Sequence, residues 1–370
     1  MRHAAAVSWR ARDLWMVHGA APVDPMPDSA QPRPVVNHDL PDFEGNMDRR
    51  DMLILTGTLA TGLSAVPLAS AAAASTAPAG FKGPHIDLTT PKGNVNAAVR
   101  VDANLDESKQ KWSSVSGVVL GVREDEALRD LFGFEVVSVA RAWGQPDGSY
   151  RVLHREAIFY TDLATGNILR AWRNPYIDET VEVVDVINDP WNHYFAEMVK
   201  KFEPDYGGLN KPVARPPVPF SMNYIDAGNG MVHNRTHINL YYKAALQPDK
   251  WPRESSGTMN RVSEFFTTAV KLADLQNPDK TSVLHTGSWT RVTPWLPWML
   301  MGQAPGHIVY HSTHHSFDSL DGFKPKVRAH CEKLYPHMLE APPKEYWEKP
   351  NLSSLEVYSK TQKPKPPKKP

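Results

Sequence analysis

The chain has 370 residues, 41% of them hydrophobic, and its 41 Lys+Arg balance 41 Asp+Glu to a formal net charge of zero. Such a composition excludes disorder throughout, fits one or two globular domains, and offers no broad field to attract nucleic acid. A single cysteine, Cys331, excludes both a disulfide framework and a Cys-rich metal site, and with only His330 and Lys333 beside it the thiol reads as buried and inert.

Residues 1–46 hold Pro at 22, 25, 27, 32, 34 and 41 and show no sustained period of 2 or 3.6, so they read as a disordered or untranslated extension. A second plausible start follows at Met47. Arg49 and Arg50 precede a mildly apolar run from Met52 to Leu68 and then a string of alanines. This three-part pattern over 47–74 resembles a twin-arginine export signal, in which a receptor reads the arginines and cargo crosses folded. Thr56, Gly57, Thr58, Thr61, Gly62 and Pro67 dilute the apolar run, which is short for a membrane span. Cleavage near Ser75 is therefore expected, giving a periplasmic protein with no stable membrane anchoring and a single β-rich domain over 75–350.

Within that domain, helix is expected at Glu124–Leu131 and Lys326–Tyr335. From Gly133 the pattern is a meander: Gly133–Trp143 alternates, Pro146-Asp147-Gly148 turns, Ser149–Asp162 alternates, and Ala164-Thr165-Gly166 turns again. Asn167–Arg173 follows, Asn174-Pro175 breaks it, and Thr180–Ile187 closes the run. A second strand-rich region covers Val218–Ile225, Met231–Ala244, Glu264–Asp274 and Val283–Val292, with Asp226 to Gly230 and Asn277-Pro278-Asp279 as turns. Glu264–Asp274 also fits a helical stripe, but its two Thr residues and strand-like flanks favour strand. The end, 351–370, reads as a basic Pro/Lys tail, extended from Lys360 onward. So many antiparallel strands must hide their edges, so the expected fold is mainly β: an antiparallel barrel or strongly curved half-barrel with few short helices.

No Walker loop, G-x-G-x-x-G, H-E-x-x-H or G-x-S-x-G stands in the mature chain, so chemistry has to come from scattered side chains. In Met231–Tyr242, a strand places His233, Arg235, His237, Asn239 and Tyr241 on one face and mainly apolar residues on the other. The same parity groups His154, Glu156 and Tyr160, and likewise Arg170, Trp172 and Asn174. Imidazole, guanidinium, phenol and indole together suit a polar-lined pocket inside a barrel, whereas a solvated face is the plainer alternative. His307, His311, His314 and His315 fall within nine residues and form a candidate transition-metal set. Trp289, Trp295, Trp298, Met299 and Met301 crowd a Pro-broken segment, either as core or as the wall of a site for flat ligands.

Taken together, several stretches resemble the family known as domain of unknown function 1838. They are Asp147-Gly148-Ser-Tyr150, Arg155-Glu156, Tyr160-Thr-Asp162-Leu, Thr165-Gly166, Trp172-Arg-Asn174-Pro175-Tyr176, Val183 through Asn188-Asp189-Pro190, and Trp295-Leu-Pro-Trp298-Met299-Leu-Met301-Gly302 with Pro305-Gly306. The resemblance covers most of the chain after residue 95 and rests on turn and packing residues. It implies an exported bacterial protein of aromatic-compound breakdown, and an enzyme on lignin-derived aromatic dimers: a cofactor-independent lyase eliminating formaldehyde from a hydroxymethyl side chain. No catalytic residues come with it.

For such a lyase the residues themselves nominate His237 as base, Arg235 or Arg170 to hold developing negative charge, Glu156 to orient an imidazole or guanidinium, and Tyr160 or Tyr241 to relay a proton. Trp172, Trp298 and Met301 would wall an aromatic slot, with Asn174 and His233 completing the substrate-binding set. The expected partner is a small aromatic substrate, no cofactor is required, and a homo-oligomer is compatible with the sequence. Two alternatives stand beside it: a periplasmic carrier of an apolar ligand, and a transition-metal hydrolase or oxygenase using His307, His311 and His314.

Overall fold

The computed structural model describes residues 85–199 and 216–367, all within one contact unit, Met47–Pro370. The extension at 1–46 and the export signal at 47–74 lie outside the described residues.

Helix α1 (Pro91–Asp102) begins where its caps dictate. Thr90 accepts the Gly93 N–H on its hydroxyl at 3.1 Å, and Pro91 takes the first helical position, where an N–H would have no partner. After it come β1 (Lys111–Val122), β2 (Arg129–Gly144), β3 (Tyr150–Thr161), β4 (Ala171–Asn174), β5 (Glu179–Glu182), β6 (Val186–Phe195) and β7 (Met198–Val199). The second half holds β8 (Val218–Pro219), β9 (Ile225–Gly228), β10 (Met231–Lys243), β11 (Met259–Lys271), α2 (Leu272–Gln276), β12 (Thr286–Thr293) and β13 (His307–Phe317). Helices α3 (Pro325–Leu334) and α4 (Ser354–Thr361) follow.

Nine strands form one antiparallel sheet in the order β6-β3-β2-β1-β13-β12-β11-β10-β9. Pairing of β1 with β13 joins the two meanders side by side, Val119 facing Tyr310 across the seam. Turn chemistry sets the registers. Between β9 and β10 the loop is Asn229-Gly230, both at positive φ (53° and 72°), the twist that a two-residue hairpin needs.

The sheet is a strongly curled half-barrel, and side chains measure the curl. The Tyr160 hydroxyl on β3 lies 3.0 Å from that of Tyr310 on β13, although β2 and β1 run between those strands. Three strand spacings on a flat sheet amount to about 14 Å, so only a concave face brings the two phenols together. That face is filled by an aromatic cluster in which Phe132 meets Tyr160, Trp172 and Trp298 with ring centroids 5.3, 5.1 and 5.2 Å away. Edge-on and tilted contacts of this kind add to the burial of large apolar surfaces.

The convex face is covered on one side only. Val137, Ala157 and Phe159 pack there against Val327 and Cys331 of α3 and against Met338. Across the other end of the trough lies α1, whose Val95, Ala98 and Val99 pack with Ala140, Val152 and Phe195, while its Ala97 and Val101 pack with Val232, Val270 and Leu275. One helix thus ties the β3–β6 side of the sheet to the β10–β11 side.

Several expectations need correction: Val218–Ile225 is not one strand, since β8 ends at Pro219 and β9 begins at Ile225 and runs into the expected turn. Glu124–Leu131 is not helical: Asp125 sits at φ 60°, a turn forms there, and β2 starts at Arg129. The segment 351–370 carries α4, closed by a reciprocal capping box between Ser353 and Glu356, with Tyr358 buried against Trp251. Helix α3 falls where a helix was expected, at Pro325–Leu334, and Glu264–Asp274 divides into the end of β11 and α2. No helix among the described residues is long and apolar enough to cross a membrane.

Candidate functional site

Antiparallel partners share a face, so the registers spell out what the trough presents. One rung runs Ile238, Glu264, Arg291, Tyr310, Val119 and Phe132 from β10 to β2. The next runs Thr236, Phe266, Trp289, Ser312, Gly117, Phe134 and Tyr160. Farther along β3, on the same face, Glu156 stands opposite Ser138 and Asn188, and His154 opposite Ala140 and Trp191. Charged groups therefore project into a largely aromatic trough.

Arg291 is the centre of this arrangement. Its Nη1 lies 3.1 Å from Glu264 Oε1, and the Trp289 indole N–H donates to Glu264 Oε2 at 3.4 Å. Burial works against the Arg291 charge, but Glu264, Tyr242, Tyr310 and Glu156 outweigh it and raise its pKa further. The guanidinium stays charged. Glu156 accepts a hydrogen bond from Asn188 Nδ2 at 2.8 Å. Burial pushes the Glu156 carboxyl above its ordinary value, the Asn188 bond pulls it back, and Glu264 nearby adds to the rise. A carboxyl so placed exchanges a proton closer to neutrality than a solvated one.

The two phenols are shifted in the same sense. Burial pushes Tyr310 up to about 12 and Tyr160 well above 10, and their mutual hydrogen bond keeps at least one as a donor. A cavity of about 50 Å³ opens beside Arg291 and Tyr310, walled by Trp289, Trp295, Ile158 and Asn260, with Ser354 and Leu355 of α4 completing it. It has room for a few waters. Nearby, Gly287 leaves space for the His314 imidazole, since a Cβ there would collide with that ring and with the Thr267 carbonyl.

A second group closes the trough at the α1 end. Asp102, the last residue of α1, lies 3.2 Å from His154 Nε2 through Oδ1 and 3.0 Å from His193 Nδ1 through Oδ2. Among the described residues, this is the His/Cys/Asp/Glu set whose ligand atoms converge, all lying within 4.8 Å of one another.

A family model described as a protein of unknown function (DUF1838) matches residues 108–362, roughly two thirds of the chain. The chain belongs to the DUF1838 family. The match runs from just before β1 to the end of α4, so every rung described above is DUF1838 sequence, while α1 with Asp102 precedes it. A comparison with curated proteins finds no match.

The DUF1838 trough brings together only part of the expected site. Glu156 and Tyr160 lie on the inner face, and Trp172, Trp298 and Met301 belong to its aromatic core, the last two fully packed. Asn174 is completely buried in a structural role: its amide donates to the Met299 carbonyl at 2.7 Å and reaches Met301 Sδ at 3.3 Å. His233, Arg235, His237 and Tyr241 take the opposite face of β10, because Val232, Ile238 and Leu240 claim the trough. Arg235 and His237 are exposed, the latter resting edge-on against Phe265 at 5.4 Å. Arg170 is also outside, paired with Asp185 at 2.8 Å and touching His330.

The expected histidine metal set does not assemble. Along β13, His307, His311 and His315 point outward and His314 inward, where its Nε2 meets the Thr267 carbonyl at 3.2 Å. Residues four apart on a strand are separated by about 13 Å, too far for one ion. Cys331 is buried and its thiol is pushed up to about 12 by that burial, as an inert thiol should be. The residues that sequence reasoning passed over are Arg291, Glu264, Tyr310 and Asn188. Arg291 shares parity with Trp289 and Thr293, a legible signal overshadowed by the indoles around it.

Proposed function

We propose that this DUF1838 protein is an enzyme that performs acid–base chemistry on a small aromatic substrate in the trough of the half-barrel, with Arg291 as its charge-holding group. The observation that carries this reading is the guanidinium, oriented by Glu264 on an aromatic-walled cavity that Tyr310 also lines, with the Glu156 carboxylate near enough to act on its charge. A structural ion pair has no need of a cavity, whereas a site for a developing oxyanion needs a fixed cation in a water-poor wall.

The reaction class is elimination of formaldehyde from an aromatic dimer that carries a hydroxymethyl group beside an aryl ether. Glu156, as carboxylate, takes the proton of the CH2–OH group. The O–H electron pair becomes the C=O of formaldehyde, the C–CH2OH bond breaks, and its pair forms an alkene as the aryl ether oxygen departs. Arg291 holds the phenolate that forms, and Glu156 or a tyrosine hydroxyl returns the proton to it. Because the closed cavity holds only a few waters, a two-ring substrate enters by displacing α4, and the aromatic walls then supply the stacking surface that aligns the breaking bond with the ring.

The test is incubation of the protein with a panel of such dimers while formaldehyde is followed. Wild type should release one formaldehyde per dimer consumed. R291K should lose about 100-fold or more in kcat/KM and E156Q a similar factor in kcat, given the usual weight of one charge-stabilising or acid–base group. H237A, on the outer face, should keep wild-type turnover. Full activity in R291K, or loss in H237A alone, would remove this assignment.

A further inference from the structure

We propose that Asp102, His154 and His193 form a binding site for one divalent transition-metal ion. The inference is independent of the reaction assigned to Arg291, because a different set of residues carries it. The first observation is convergence: a carboxylate at the end of α1 faces one imidazole from β3 and one from β6, at 3.2 and 3.0 Å. Ligands about 2.1 Å from a common metal stand about 3.0 to 3.4 Å from each other, so each imidazole is spaced from the carboxylate like a neighbouring ligand, meeting it through a different oxygen.

The second observation concerns tautomers. His154 Nδ1 lies 2.9 Å from the Trp191 carbonyl, which can only accept, so Nδ1 carries the proton. Nε2 faces the Asp102 carboxylate at 3.2 Å, and its lone pair becomes available to a cation that takes the place of the proton shared there. His154 is 5% exposed, so its Nε2 meets Asp102 away from bulk water. A backbone carbonyl on one ring nitrogen with the other aimed at a carboxylate is how metal-bound histidines are oriented.

Charge points the same way. The rings of His154 and His193 lie 4.4 Å apart, so two imidazolium ions there would repel, whereas a single cation between them serves both lone pairs and the carboxylate. Lys111, the nearby ammonium, is tied to the carbonyls of Arg100, Val101 and Val283 at 3.0, 2.6 and 2.6 Å. The Asp102 side chain keeps 26% and that of His193 14% of its surface exposed, which leaves an entry path and open coordination positions. Two imidazoles and one carboxylate suit Zn(II), Fe(II) or Co(II) rather than Ca(II) or Mg(II).

The test uses the purified full chain, stripped with chelator and titrated with Co(II). Wild type should develop visible d–d absorption that saturates at one equivalent, and Zn(II) should displace it. H193A should weaken Co(II) binding at least 100-fold with unchanged far-ultraviolet circular dichroism, and H307A/H311A should bind like wild type. Should H193A fail to fold, D102N decides: Zn(II) should raise the melting temperature of wild type and not that of D102N. Uptake by wild type below a tenth of an equivalent, or equal Co(II) affinity in H193A, would reduce the group to an Asp–His ion pair and overturn the site.

Discussion

A phenol buried in the trough behaves differently from one in solution, and Tyr310 makes that measurable. The native hydroxyl keeps its proton up to about 12, whereas a tyrosine of the unfolded chain loses it near 10. Between those values the unfolded state holds fewer protons than the native one, so stability present below pH 10 falls away as pH rises. Urea unfolding midpoints measured at pH 9, 10 and 11 should fall more steeply for wild type than for Y310F. The variant starts about 1 kcal/mol lower, because the Tyr160 hydroxyl loses its partner. Parallel slopes would mean that Tyr310 ionises in the native protein as freely as in the unfolded one. The same burial explains why Glu156 and Arg291 can matter together: removed from bulk water, their charges interact more strongly than surface pairs do.

Among the elements, α4 has a special place because it walls the cavity while holding few large contacts. Its stability rests on Tyr358 packed against Trp251 and on the capping box, in which the Ser353 hydroxyl and backbone N–H both pair with Glu356. S353A should cost about 1 kcal/mol, the usual value of an N-cap. Hydrogen exchange should show the loss as faster exchange in 354–361 with β3 unaffected. The same variant should admit a fluorescent apolar probe to the trough more readily. Unchanged exchange in α4 would show that packing alone fixes this helix. Strand β10 teaches a complementary lesson: its polar face, rich in His and Arg, is the solvent face, and its aliphatic face does the folding.

At the scale of the molecule, α1 spans the open side of the half-barrel and is gripped by both of its ends. Val99 is fully buried there, so V99A should cost about 2 to 3 kcal/mol, the sum of lost burial and the cavity left behind. Because α1 touches both meanders, a urea melt should show a single transition displaced as a whole, and separate transitions for the two halves would show that α1 does not couple them. Much of this architecture is legible in the chain itself. Alternation in 133–143 and 149–162, the Asp147-Gly148 and Asn229-Gly230 turns, and the helix at 325–334 all follow from local periodicity and turn chemistry, and with them the curled antiparallel fold. Helix α1 and strand β1 carry weaker patterns, and the site is weaker still. Period 2 says which side chains share a face of a strand, and it says nothing of which face turns inward. That choice belongs to the whole sheet, where burying Val232 and half-burying Ile238 and Leu240 is worth more than burying His237 and Arg235, whose desolvation has no partner to offset it. Pairing of β3 with β6 brings His154 to His193 and the docking of α1 adds Asp102, whereas Arg291 nears Glu156 only once the sheet has curled; each joins residues far apart in the chain.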